Sequence, residues 1–581
     1  MASKIYAYPH HLCALMKFVS DRYQPIRPLL STIALSFTLT CLLGQEPAFN
    51  KGDTLRGTLS PIRSCYDVHH YDLWVSVDTS YQSIKGKNTI SFSAVNDFQQ
   101  MQVDLFENMV VATITFENQP VQFKREFNAL LLQMPRMIAE GELASLEIEY
   151  FGKPRVAKNP PWDGGFIWTT SDNNQPWIAV SCQGIGASLW WPCKDHLSDE
   201  PDSMDIHCRV PIGLVCVSNG QDRGTTTDKF GVKTYNWHVS YPINNYNVSI
   251  NIGDYVHLHD VYQDESGDTL SLDYYVIRGD EQKATEHFRQ VKPMLACYEK
   301  FLGKYPFPSD GYALVQTPYL GMEHQGAIAY GNKFRTGYLG SDRSGQKLNF
   351  DYIIVHETGH EWWGNSVTAA DIADMWIHES FCTYSEAIYV ECMYGYDTAM
   401  TYVNALKNTV QNKASIMGIY GVNNEGHYDM YVKGMLFLNT LRHVVNNDEL
   451  WWETIRLLSD SAFKHNTTDY EKIVAHFEEN THLSLAPIFE QYVKYPELPV
   501  LEYSAKKNKH GTTLRMRWYS RAQPFNMPIT LLLQGTKVRI QVNSKWTKVT
   551  LPSDYSFDQK TAYFTLKKVK TRRNKITLSG T

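Results

Sequence analysis

Apolar and polar residues alternate with a period of two along much of the first half of the chain. YDLWVSVDTS (Tyr71–Ser80), KGKNTISFSAV (Lys85–Val95) and KTYNWHVSYP (Lys233–Pro242) each place apolar side chains on one face, with Gly, Asn and Asp between the runs. Such alternation suits antiparallel strands buried on one side. From about Asp264 the period changes to that of a helix. EQKATEHFRQVKPMLACYEKFLG (Glu281–Gly303), ELWWETIRLLSDSAF (Glu449–Phe463) and YEKIVAHFEEN (Tyr470–Asn480) repeat their apolar positions every three to four residues. From Val500 the two-residue period returns in TTLRMRWYS, MPITLLLQ, KVRIQVN and TAYFTLKKV (Thr512–Val569). The pattern predicts a multidomain α+β protein. It divides into a leader at 1–45, an antiparallel β domain at 46–262, a mostly helical domain at 263–499 and a small β-sandwich at 500–581.

Length and composition agree with this picture and narrow it. At 581 residues, 43% hydrophobic and 13% aromatic, the chain supplies large cores, and nothing points to a disordered or fibrous protein. No internal repeat or low-complexity tract is visible. Charge is uneven. Ala505–Thr581 holds 17 Lys and Arg against 2 Asp, a net +15, which leaves −21 on the rest of a chain whose formal charge is −6. The asymmetry predicts an acidic body and a basic cap. The cap is expected to dock on its own acidic neighbours, the sharper alternative being weak contact with an anionic surface. No specific nucleic-acid partner is expected.

Leu29–Leu43, LLSTIALSFTLTCLL, is apolar and preceded by Arg22 and Arg27. It is shorter than the ~20 residues of a membrane span and fits the apolar region of an export signal cleaved near Gly44 or Gln45. Met16 is a candidate start. Cys41 is a candidate lipid-attachment residue, and an uncleaved anchor is the other alternative. The expected location is periplasmic or extracellular. Beyond this region lie Cys65, Cys182, Cys193, Cys208, Cys216, Cys297, Cys382 and Cys392. None forms a C-x-x-C pair, so they do not read as a metal or redox framework, and any pairing is open.

The candidate chemistry sits in HETGHEWWGN, His356–Asn365. Residues four apart share a helix face, so His356 and His360 present two imidazoles to one ion. Glu357 projects at the edge of that face, within reach of a water. The alternative is an ordinary pair of helix histidines. A further helical period runs from Asp371 to Glu391 and contains Glu379, 18 residues after His360. A helical return would bring this carboxylate to the open side of the histidines. Two His and one Glu make a catalytic zinc set with one position left open.

HETGHEWWGN followed by WIHESFCTYSE resembles the zinc aminopeptidases of the aminopeptidase N and leukotriene hydrolase family, whose second domain is thermolysin-like. Trp362, Gly364, Asn365, Trp376, Glu379 and Phe381 match that pattern, while His378 and Ser380 depart from it. YLGMEHQGAIAYGN (Tyr319–Asn332), after the strand-like YALVQT, resembles the family's G-x-M-E-N loop. Gly321, Met322 and Glu323 align, and Leu320 and His324 depart. The resemblance implies that Glu323 meets the substrate's α-ammonium, with Gly321 and Met322 beside the peptide. MYVKGMLFLNTLRHVV places Tyr431 on the tyrosine that hydrogen-bonds the oxyanion, with Tyr428 a competing candidate. SCQGIGASLWWPCKD places Gln183 on the glutamine that reaches the substrate's amino end. The resemblance runs from about residue 60 to 500 and implies one zinc per chain, Glu357 as general base, and substrates that are peptides with a free N-terminus. It also implies that the large helical domain that often follows in the family is missing here, giving an open cleft. The alternatives are a zinc endopeptidase with the same ligands, or a silent scaffold on this fold. The preferred side chain, the peptide length limit and the oligomeric state are open.

Overall fold

A computed structural model describes residues 48–570 apart from His510 and Ser553. The expected leader, with Leu29–Leu43 and Cys41, lies outside the described residues. Within them, no helix is long and apolar enough to cross a membrane.

The first domain is built on an eight-stranded sheet. Its long strand β1 (Tyr66–Asp78) alternates as the sequence does: Tyr71, Leu73, Val75 and Val77 are buried. β1 pairs antiparallel with β2 (Ser83–Ala94) on one side. On the other it pairs parallel with β3 (Ser203–Val210), from Ser203 opposite His70 to Arg209 opposite Ser76. The expected all-antiparallel domain is corrected here. Parallel neighbours need a long crossover, and the chain between β2 and β3 supplies it by building most of two further sheets. Together they enclose a core around Trp190 and Trp191, both fully buried.

The second domain opens with a five-stranded sheet. β4 (Tyr255–Gln263) and β5 (Thr269–Ile277) form a hairpin. β5 pairs parallel with β6 (Tyr312–Gln316), which pairs with β8 (Ile328–Tyr330), and β7 (Gly321–Met322) lies at the far edge. This sheet runs across the expected division at 262/263: β4 belongs with the strands after it. Helices pack behind: α1 (Val291–Leu302), α2 (Tyr352–Gly359), α3 (Met375–Tyr394) and α4 (Val432–Val445). α2 is buried on nearly every side from Ile353 to Gly359, as expected of a core helix rather than a surface one.

The basic cap has a four-stranded and a three-stranded sheet between Val500 and Lys568. It docks less through acids than its charge suggested. Arg539 donates to the backbone carbonyls of His443 and Val444 at the end of α4, where carbonyls have no helical partner. Arg517 and Lys567 converge on Glu502 within the cap. Arg521 pairs with Glu497 just before it.

Candidate active site

Three local devices place the site. The first is the start of α2. The Asp351 side chain accepts from the backbone N–H of Ile353 and Ile354, capping the helix. The same carboxylate meets His287, the Tyr330 hydroxyl and Asn332. One residue thus fixes α2 against β8. The second is the geometry of α2 itself, which sets His356 and His360 one turn apart with ring centroids 5.0 Å from each other. The third is α3, which returns beneath α2 and delivers Glu379.

The imidazoles are held from behind. His356 Nδ1 lies 2.7 Å from Glu386 Oε1, and His360 Nδ1 lies 2.8 Å from the Trp363 carbonyl. Both Nε2 atoms are thereby turned toward Glu379 Oε2, at 3.7 and 3.5 Å. That oxygen is buried and accepts no hydrogen bond among the described residues. Ligands on a tetrahedral zinc with bonds of ~2.0–2.1 Å lie about 3.3–3.5 Å apart. The orphaned oxygen and the anchored imidazoles therefore fit zinc. Cys382 also comes close to both histidines, but its thiol is spent on the His356 carbonyl at 2.8 Å.

Glu357 is buried beside these ligands, and burial pushes its carboxyl up to about 7. It packs against Gly321, where a β-carbon would stand 2.4 Å from Glu357 Oε1. Glu323 follows β7 and is 2% exposed. Its burial, more than any neighbouring charge, raises its pKa. Gln183 from the first domain bridges the two functions. Its amide donates to Glu323 Oε1 at 2.6 Å and to Glu379 Oε1 at 2.8 Å.

Tyr431 lines the same cavity, its ring 6.1 Å from that of His356. Its phenol has no hydrogen-bond partner among the described residues, and burial holds it well above its ordinary pKa, so it remains a donor. Tyr428 stands at the rim, 60% exposed. The cavity, about 650 Å³, is lined by all nine residues singled out from the sequence: Gln183, Gly321, Met322, Glu323, His356, Glu357, His360, Glu379 and Tyr431.

Several contributors escaped the sequence reading. Tyr246 donates to Glu323 Oε1 at 3.1 Å, and no motif announced it. Its oxygen lies 3.4 Å from His378 Nδ1, and His378 Nε2 accepts from the Ala369 N–H. The departure at His378 thus ends a chain that orients Glu323. Glu386, behind His356, lies seven residues after Glu379 on α3, so helical spacing could have found it. The departure at His324 leaves the cavity untouched. That side chain is fully buried outside the cavity lining, and burial lowers its pKa to about 3.

Comparison with known proteins agrees with this arrangement. Residues 68–246 match the Peptidase M1 N-terminal domain and residues 287–492 the Peptidase family M1 domain. The chain belongs to peptidase family M1. Among curated M1-like relatives, it is 22% identical over 515 residues to the probable aminopeptidase 2 of Sulfurisphaera tokodaii, covering 84% of this chain and 61% of that one. It is 24% identical over 369 residues to aminopeptidase B of Rattus norvegicus, covering 59% and 51%. The chain thus spans less than two thirds of the length of these relatives. The M1 zinc metallopeptidase of Deinococcus radiodurans superposes with a TM-score of 0.62 at 19% identity, covering 74% of this chain and 94% of that one. At that identity the likeness speaks for the M1 fold.

Proposed function

We propose that this M1 chain is a zinc-dependent aminopeptidase that removes the N-terminal residue of peptides. The observation that carries the reading is the Gln183 bridge between Glu323 and Glu379. It holds the anchor for an ammonium within one side chain of a metal-ligand carboxylate. A substrate whose α-ammonium meets Glu323 presents only its first peptide bond to His356, His360 and Glu379.

Those three residues would hold zinc. When bound, zinc supplies Lewis-acid polarisation and a lowered water pKa. Glu357 accepts a proton at its carboxylate and returns it to the leaving amine, which its elevated pKa favours near neutrality. Tyr431 donates its phenol O–H to the carbonyl oxygen as charge develops there. Glu323, oriented by Tyr246 and Gln183, accepts charge-assisted hydrogen bonds from the ammonium. A variant of the Deinococcus radiodurans protein has been crystallised with a Tyr-Ser-Ala substrate, which supports peptides as the substrate class here. Export is part of the proposal and rests on Leu29–Leu43. Cell fractionation tests it, and activity confined to the cytosol would refute it.

Purified chain should release the leaving group from free aminoacyl anilides and ignore N-acetylated ones, and strong chelators should abolish turnover. Glu323→Ala should weaken free-amine substrates by at least the ~1.5–3 kcal/mol of a charged hydrogen bond. Internal cleavage of an N-acetyl peptide at a comparable rate would establish an endopeptidase instead. Absence of both activities in metal-loaded protein would indicate a silent scaffold.

A further inference from the structure

A second set of metal-type donors lies at the other edge of the catalytic sheet. His257 and His259 are two residues apart on β4, so their imidazoles leave the sheet on one face. Asp273 of β5 sits directly opposite His259 in register. Its Oδ1 lies 2.7 Å from His257 Nε2 and 3.1 Å from His259 Nδ1. One donor atom from each of the three falls within 4.8 Å of the other two.

Two neighbours aim these donors. The His257 ring stacks on Tyr275 at 4.6 Å and 10°. The Ser271 hydroxyl donates to Asp273 Oδ2 at 2.6 Å, which turns Oδ1 toward the imidazoles. An isolated ion pair would need one imidazole on this oxygen. Here two converge on it from the same strand, and their side chains remain 48% and 56% exposed.

We propose that His257, His259 and Asp273 form a binding site for a divalent first-row cation of the zinc type, separate from the His356–His360–Glu379 set. Two imidazoles and one carboxylate suit zinc, cobalt, nickel or copper better than magnesium or calcium, which take oxygen ligands. The donor spacings are below the ~3.3–3.5 Å of a tetrahedral zinc site, so the exposed rings must swing outward by less than an ångström to admit the ion. The fourth position faces water, which makes the ion exchangeable. The consequence for the fold is a clip. β4 is an edge strand, and the ion would tie it to β5 through side chains where no further strand does so through backbone.

Zinc content and thermal melting of the full chain test the proposal. After equilibration with low micromolar zinc, the chain should carry two ions, one of which a mild chelating resin strips. H257Q/H259Q should carry only the resistant ion and keep full activity on aminoacyl anilides. His356→Ala, with the catalytic set broken, should still bind the labile ion and gain thermal stability from added zinc. Adding H257Q/H259Q to that variant should remove the gain. Equal labile zinc in the unaltered chain and H257Q/H259Q would overturn the site, as would a zinc-dependent melting shift that survives the combined substitution.

Discussion

Glu357 must lose and regain a proton in a place that disfavours its charge, and its surroundings make that measurable. Burial raises its carboxyl to about 7 from an ordinary 4.5. A base acts only when ionised, so kcat/KM should climb as pH rises toward about 7, a cation held beside it moving this limb lower. It should fall again as the substrate ammonium deprotonates near ~7.7–8.0. A profile flat from about pH 5 to 9, or an alkaline limb indifferent to the pKa of the substrate amine, would remove the roles of Glu357 and Glu323 respectively. Glu357→Gln should keep its metal and lose about 10²–10⁴ in kcat, the scale of general-base catalysis. Near-normal turnover would end that assignment. Tyr431→Phe should bind substrate normally and lose about 10²–10³ in kcat, the worth of one oxyanion donor. Steady-state kinetics of Tyr428→Phe provide the comparison, and a larger loss there would move the role to the rim tyrosine.

Among elements, α2 shows what sequence spacing delivers and where it stops. Four-residue spacing was enough to put His356 and His360 on one face, and a second helical period was enough to bring Glu379 back to them. The support behind them was hidden, because it comes from residues distant in sequence. Asp351 reads as an ordinary helix cap, yet it also satisfies His287, Tyr330 and Asn332. Asp351→Ala should therefore cost more than the ~0.5–2 kcal/mol of a lost cap, since each stranded buried partner adds about 1–3 kcal/mol. Denaturant unfolding measures it, and a loss under about 1 kcal/mol would show that these contacts are incidental. Close approach is similarly invisible in a pattern of apolar positions. α4 crosses α3 where Gly434 meets Ser380, and a β-carbon at 434 would fall 1.9 Å from Ser380 Oγ. Gly434→Val should push Tyr431, three residues before it, away from His356. That predicts a lower kcat at unchanged zinc content, and an unchanged kcat would show that α4 yields without moving its first turn.

Across the whole molecule, the order of β, helical and β regions was legible because the hydrophobic period changes twice, near Asp264 and Val500. The parallel pairing of β1 with β3 was not, since alternation fixes which face of a strand is buried and says nothing about its neighbour. The same limit hid the hairpin of β4 and β5, whose alternation reads as a continuation of the first domain while its hydrogen bonds belong to the second. Charge gave the basic cap but misjudged its attachment, because Arg539 spends itself on helix-end carbonyls that carry no formal charge.

Gln183 belongs to one domain, and both carboxylates it holds belong to the other. Asn244 and Asn247, also from the first domain, reach the Gly364 carbonyl and the Asn365 side chain just past α2. The two domains are therefore bound to a shared inheritance. A second domain joined to a foreign partner would keep its metal ligands and its base while losing the fixed distance between amine anchor and cutting point. Such a chimera should trim peptides raggedly, releasing a mixture where the intact chain releases single residues in order.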